Sequence, residues 1–224
     1  MLAIPELGGQ SPDEREAHIM IADSRKPKWF FYPGWVVLST LSIPIAWFIS
    51  WVIISQIKRA VGGTMEVAGR TRITEDLMID YVFFSLLVLL SGLLRYLLLR
   101  HYLPRMGWWI AATALGWPLG IAVVYLGYTI WPVALNANSM WSAALIGAVI
   151  GLAQWLVLRR RVPRAGWWVL ASALGWGLVR LIAGEVFTSP VELLIIGAVP
   201  AAVTGLALWW LLAHLPQHGT AVDQ

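Results

Sequence analysis

Residues 151–176 read Gly-Leu-Ala-Gln-Trp-Leu-Val-Leu-Arg-Arg-Arg-Val-Pro-Arg-Ala-Gly-Trp-Trp-Val-Leu-Ala-Ser-Ala-Leu-Gly-Trp. An apolar run arrives at a cluster of arginines, a proline stops any helix from continuing, and Gly-Trp-Trp opens a second apolar run. Residues 92–117 carry the same frame without gaps, at an offset of 59 residues and with 15 of 26 positions identical. Agreement at that level is not a product of apolar composition, so the stretch is a duplicated unit. Each copy predicts a helical hairpin: an outgoing helix ending at Arg100 or Arg159, a tight turn through Pro104 or Pro163, and a returning helix that starts at the paired tryptophans. Arginine suits headgroup phosphates and tryptophan suits the bilayer interface, so Arg100, Arg105, Trp108 and Trp109 in one copy, and Arg159, Arg160, Arg164, Trp167 and Trp168 in the other, are predicted membrane-interface anchors.

The rest of the chain agrees with a bilayer setting. Of 224 residues, 59% are hydrophobic and 12% charged, against about 25% charged in soluble domains. Six apolar segments stand out: Pro33–Ile57, Ile79–Leu99, Trp108–Trp131, Met140–Leu158, Trp167–Ala183 and Val191–Ala213. They lack the alternation of a barrel strand, and in lipid only a helix satisfies its own backbone. The predicted fold class is therefore all-α integral membrane, a six-transmembrane-helix bundle over 29–216. A polar head, 1–28, is expected to carry a short helix near 12–22, opened by Ser11-Pro12-Asp13-Glu14, and 217–224 to form a tail. The head has no apolar signal-like core, so the first span is expected to direct its own insertion.

Lys and Arg set the orientation. Arg15, Arg25, Lys26 and Lys28 lie in the head, and the turns after the second and fourth spans carry Arg100, Arg105, Arg159, Arg160, Arg161 and Arg164. The stretches 132–138 and 184–190 carry neither residue type. The basic side is expected to be cytoplasmic, with both termini there. Lys58, Arg59, Arg70 and Arg72 oppose this assignment, falling in an expected external loop that Gly62-Gly63 and Gly69 mark as a small hairpin.

The outer spans read as half repeats. Pro33-Gly34-Trp35 resembles Gly166-Trp167, and Gly205-Leu206-Ala207 with Trp209 resembles Gly151-Leu152-Ala153 with Trp155. Paired, they would make a third hairpin cut open at its cytoplasmic turn, giving a circularly permuted, pseudo-threefold bundle. Small residues four apart, such as Gly116 with Gly120 and Gly147 with Gly151, predict close helix packing.

The stretch Gly-Leu-x-Gln-Trp-Leu-Val-Leu-Arg-Arg followed by Pro-Arg-x-Gly-Trp-Trp-Val-Leu-Ala resembles a hairpin repeat of bacterial polytopic membrane proteins to which no activity is assigned. Residues 151–171 follow that form closely; residues 92–112 depart from it, with Arg95 and Tyr96 in place of Gln and Trp. The resemblance covers spans two to five and implies a bacterial membrane protein, with no site or reaction attached.

Chemistry is sought where polarity enters a span, because it is costly there. Arg180 stands where the first repeat has Ile121, about 20 Å along the fifth span. With Glu185, Glu192 and Asp80 it defines a candidate outward-facing ligand pocket; the plainer reading is an ion pair or a snorkelling arginine. Arg95 and Gln154 occupy equivalent repeat positions about one turn inside the basic boundary and form a candidate inner polar cavity. His101 and His214, at the basic ends of spans two and six, are the residues through which haem or a chlorin would bind; their rim position favours ordinary solvation, and no cofactor or metal is expected. There is no cysteine, no catalytic His-Glu-x-x-His or Gly-x-Ser-x-Gly, and no phosphate-binding Gly-x-x-x-x-Gly-Lys. Basic residues flank spans rather than line a soluble face, which excludes nucleic acid as the partner and leaves anionic headgroups and other membrane subunits. A non-enzymatic accessory, scaffold or sensory module is the expected role, with small-solute binding or transport around Arg180 as the alternative.

Overall fold

The computed structural model describes residues 29–67, 70–74, 78–103, 106–132, 135, 139–183 and 190–214. The expected head helix, the tail, and the side chains of Arg105 and Glu185 lie outside the described residues. The elements in order are α1 (Phe31–Val61), β1 (Thr64–Val67), β2 (Arg70–Ile73), a π-helical turn (Ile79–Phe83) that runs into α2 (Phe84–Leu99), α3 (Trp108–Tyr128), α4 (Met140–Leu158), α5 (Trp167–Ala183) and α6 (Pro190–Ala213). Among the described residues the protein is all-α apart from one small hairpin. By length and composition α1, α3, α4 and most of α6 suffice to cross a membrane, while α2 and α5 are apolar but shorter.

Helix α1 outruns its expected end at residue 57. Lys58 and Arg59 are in its last turn rather than in a loop, where the carbonyl end of the helix dipole favours cations. Lys58 lies about 40 Å along the axis, further than the roughly 30 Å depth of a hydrocarbon core. Gly62 then breaks the helix at φ 91°, a conformation that suits glycine. The β-hairpin follows, antiparallel, with Thr64 opposite Ile73 and Val67 opposite Arg70. Thr74 closes its base, donating from its hydroxyl to the Gly62 carbonyl at 2.9 Å and from its amide to the Gly63 carbonyl at 3.0 Å.

The helices pack in a closed ring. Each touches its neighbours in sequence, and α6 returns to pack on α1. Glycine makes the contacts close. A Cβ on Gly116 would stand 2.9 Å from the Ile150 backbone, one on Gly175 2.9 Å from the Pro200 backbone, and one on Gly197 2.8 Å from the Thr40 backbone. The largest buried cluster gathers at the basic end, joining Phe31, Leu99, Leu158 and Leu208 with turn residues Leu103, Met106, Val162 and Ala165. These four turn residues thus cover that end of the core, while Arg159, Arg160, Arg161 and Arg164 stay exposed.

Substituting Gly175 with Val should lower the unfolding midpoint in micelles by the equivalent of about 1–3 kcal/mol, since the clash is with backbone. Gly166→Ala, where nothing lies within 4 Å of the added carbon, should leave it unchanged. Near-ultraviolet circular dichroism during heating makes the comparison.

Candidate functional site

Three indoles meet at the centre of the ring near its basic end. Trp35 comes from α1, Trp109 from α3 and Trp168 from α5, and all three are completely buried. Their ring centroids are 6.4 Å apart for Trp35–Trp109, 5.9 Å for Trp35–Trp168 and 5.5 Å for Trp109–Trp168, each pair edge to face. That geometry sets the positive edge of one ring against the negative face of the next. It corrects the reading of the paired tryptophans as anchors of one kind. Trp108 and Trp167 remain 77% and 57% exposed, whereas Trp109 and Trp168 are core. Adjacent residues on a helix point about 100° apart, which lets one of each pair face outward while the other turns into the core.

Polar side chains bridge the helices around this plug. Gln154 on α4 is buried and bonded on both sides: its amide nitrogen donates to Thr113 Oγ1 on α3 at 2.9 Å, and its carbonyl oxygen accepts from Trp168 Nε1 at 2.9 Å. Trp35 Nε1 donates to Thr204 Oγ1 on α6 at 3.3 Å, and that hydroxyl donates in turn to the Pro200 carbonyl. Arg95 on α2 donates from Nε to Ser39 Oγ on α1 at 2.9 Å, and its guanidinium carbon lies 5.4 Å from the Trp35 ring centroid. Trp109 Nε1 is buried with no partner, and so is Thr40 Oγ1.

A cavity of about 40 Å³ adjoins this network. All six helices reach it: Ser39 from α1, Arg95 from α2, Thr113 from α3, Ile150 from α4, Trp176 from α5 and Pro200 from α6. On the side away from the plug, Trp117 and Trp176 pack with ring centroids 5.4 Å apart. Arg95 and Thr113 line this cavity, whereas Gln154 does not and reaches it only through its bond to Thr113. Ser39, Thr113 and Thr204 were not singled out from sequence. The signal for Thr113 was present, because the second repeat has another hydroxyl, Ser172, at the same place.

The second cavity is larger, about 140 Å³, and lies between the far half of α1 and the π-helical turn, lined by Trp47, Ser50, Trp51, Lys58, Ile79 and Phe83 among others. Neither cavity is lined by Arg180 or Glu192. Arg180 is half-buried in the last turn of α5, where the helix dipole favours a cation. Glu192 is in the first turn of α6, where it favours an anion. Asp80 falls in the π-helical turn. Both histidines are exposed, and each bonds its own helix: His101 Nδ1 is 2.9 Å from the Leu97 carbonyl and His214 Nδ1 2.8 Å from that of Trp210. Among the described residues no three His, Asp or Glu side chains gather as a metal site. On the basic rim, Arg100, Arg159, Arg160 and Arg164 are exposed, and the Arg159 guanidinium sits 5.0 Å from the Trp155 ring, a cation–π contact. No family model, curated protein or solved structure matches the chain.

Gln154→Leu should destabilise the bundle by about 1–3 kcal/mol, because it strands the Trp168 indole N–H in the core. Trp168→Phe in the same background should recover part of that loss. A double-mutant cycle on thermal unfolding in micelles measures both.

Proposed function

We propose that this chain is a six-span membrane bundle with approximate threefold repetition that serves as a non-enzymatic scaffold or sensory module, engaging other membrane subunits through its outer surface. The observation that carries the reading is the contact of Trp35, Trp109 and Trp168 at the ring's centre. A conduit needs a path along that axis, and here interlocked indoles occupy it. The adjoining cavity is also too small for an organic solute, since ligand sites run to about 300–1,000 Å³.

The repeat is supported by the parts that meet. Trp168 and Trp109 are equivalent by sequence, and Trp35 joins them from α1 as their third counterpart. The alignment of half repeats then shifts: Trp35 pairs with Trp168 rather than Trp167, and Thr204 takes the place of Gln154 as acceptor for its indole. With that register Ser39, Thr113 and Ser172 form one set, all buried. Leu99, Leu158 and Leu208 form another, also buried. Six spans follow if the π-helical turn extends α2 across the bilayer. The basic turns then share the cytoplasmic face of a bacterial inner membrane, and the hairpin with Arg70 and Arg72 projects on the other.

Two measurements test this. The chain has no cysteine, so single Arg100→Cys and Arg161→Cys variants can be labelled from one side of inverted membrane vesicles. Both should react from the cytoplasmic side; opposite reactivity removes the topology. Proteoliposomes should show no ion or amino-acid flux above protein-free vesicles, while gentle affinity purification brings down a stoichiometric membrane partner. Saturable flux without a partner would favour the transport reading instead.

A further inference from the structure

The repeat leaves one position electrically incomplete. In the second hairpin Trp168 Nε1 donates to Gln154 Oε1. In the first, the residue in the place of Gln154 is Arg95, which has only donors. Trp109 Nε1, the counterpart of Trp168 Nε1, is accordingly buried without an acceptor. Arg95 has its own deficit. Its contacts among the described residues are the Ser39 hydroxyl and the face of Trp35, neither of which is a counter-charge. Arg95 is half-buried, and a guanidinium held partly inside an apolar bundle is costly unless an anion accompanies it.

The space beside it matches that need. The cavity lined by Arg95 also presents Ser39 and Ser91. Ser39 Oγ accepts from Arg95, which leaves its own O–H free to donate. The volume of about 40 Å³ exceeds the roughly 10–15 Å³ that one enclosed water needs, so a halide ion fits beside the guanidinium. We propose that this cavity is a binding site for a small monovalent inorganic anion, a halide, held by the Arg95 guanidinium and the neighbouring serine hydroxyls. The ion supplies the counter-charge that Arg95 lacks among the described residues. It is a structural ligand of the bundle core and does not depend on the span count or on any partner, so its loss would leave the proposed function standing.

Arg95→Gln tests this because it copies the second repeat, giving Trp109 an acceptor while removing the charge. In micelles at fixed ionic strength, chloride should raise the unfolding midpoint of the unmodified full chain over gluconate, saturably. Bromide should broaden saturably in its nuclear resonance. The Gln variant should fold, be at least as stable in gluconate, and bind bromide about tenfold or more weakly. Should that variant not fold, Arg95→Lys, which keeps the charge but not the fork of donors, should bind several-fold more weakly. Unaltered binding in whichever variant folds overturns the proposal. So does absence of saturable halide binding in the unmodified chain, or stabilisation by inorganic phosphate and not by halide, which would point to a lipid headgroup.

Discussion

The constraint on which the bundle turns is the edge-to-face contact of three indoles where α1, α3 and α5 converge. Indoles are large, rigid and apolar over most of their surface, so packing them together removes much area from the surroundings while fixing ring orientation. The N–H of each must still find an acceptor, and that requirement propagates outward. Gln154 and Thr204 serve two of the three, and in doing so tie α4 to α5 and α6 to α1. Gln154 extends the tie to α3 through Thr113. Closure of the ring and the pairing of two of the three indoles thus rest on the same side chains.

Close approach of the helices is the second half of that solution. With no solvent to drive apolar surfaces together, helices in lipid adhere by dispersion and short polar contacts, both of which fade quickly with distance. Gly116, Gly175 and Gly197 let one backbone reach another without an intervening side chain. The short proline-containing turns keep α2 with α3 and α4 with α5, and direct Leu103, Met106, Val162 and Ala165 back onto the plug. The basic residues of those turns are left at the rim, where water or headgroups can surround them.

Departures from the repeat are where individuality enters. The second hairpin places a neutral acceptor, Gln154, beside its buried indole, whereas α2 brings Arg95 to the equivalent position. Arg180 departs in the same way, replacing an isoleucine, but at a helix end where the dipole and the rim ease its charge. The two arginines look alike in sequence, both being charges inside apolar runs. Both lie within about a turn of a helix end, and their surroundings differ because Arg95 lines a cavity that all six helices reach.

From sequence alone, helix was forced for every apolar run, since nothing else satisfies a backbone in lipid; the hairpin unit, the close packing at Gly116 and Gly147 and the bounds of α4 and α5 were legible because they are local or repeated features, whereas the contact of Gly197 with α1 was not. Residue pairs that meet across the ring were not. Trp108 and Trp109 are neighbours of one chemical type, and only the azimuth of α3 against α1 and α5 decides which faces outward and which is enclosed. The same holds for Ser39, Thr113 and Thr204, whose hydroxyls are ordinary in a helix until a donor from another helix arrives. Periodicity is written along the chain, whereas contact between helices far apart in sequence is set by how the ring closes, and that was for the tertiary structure to decide.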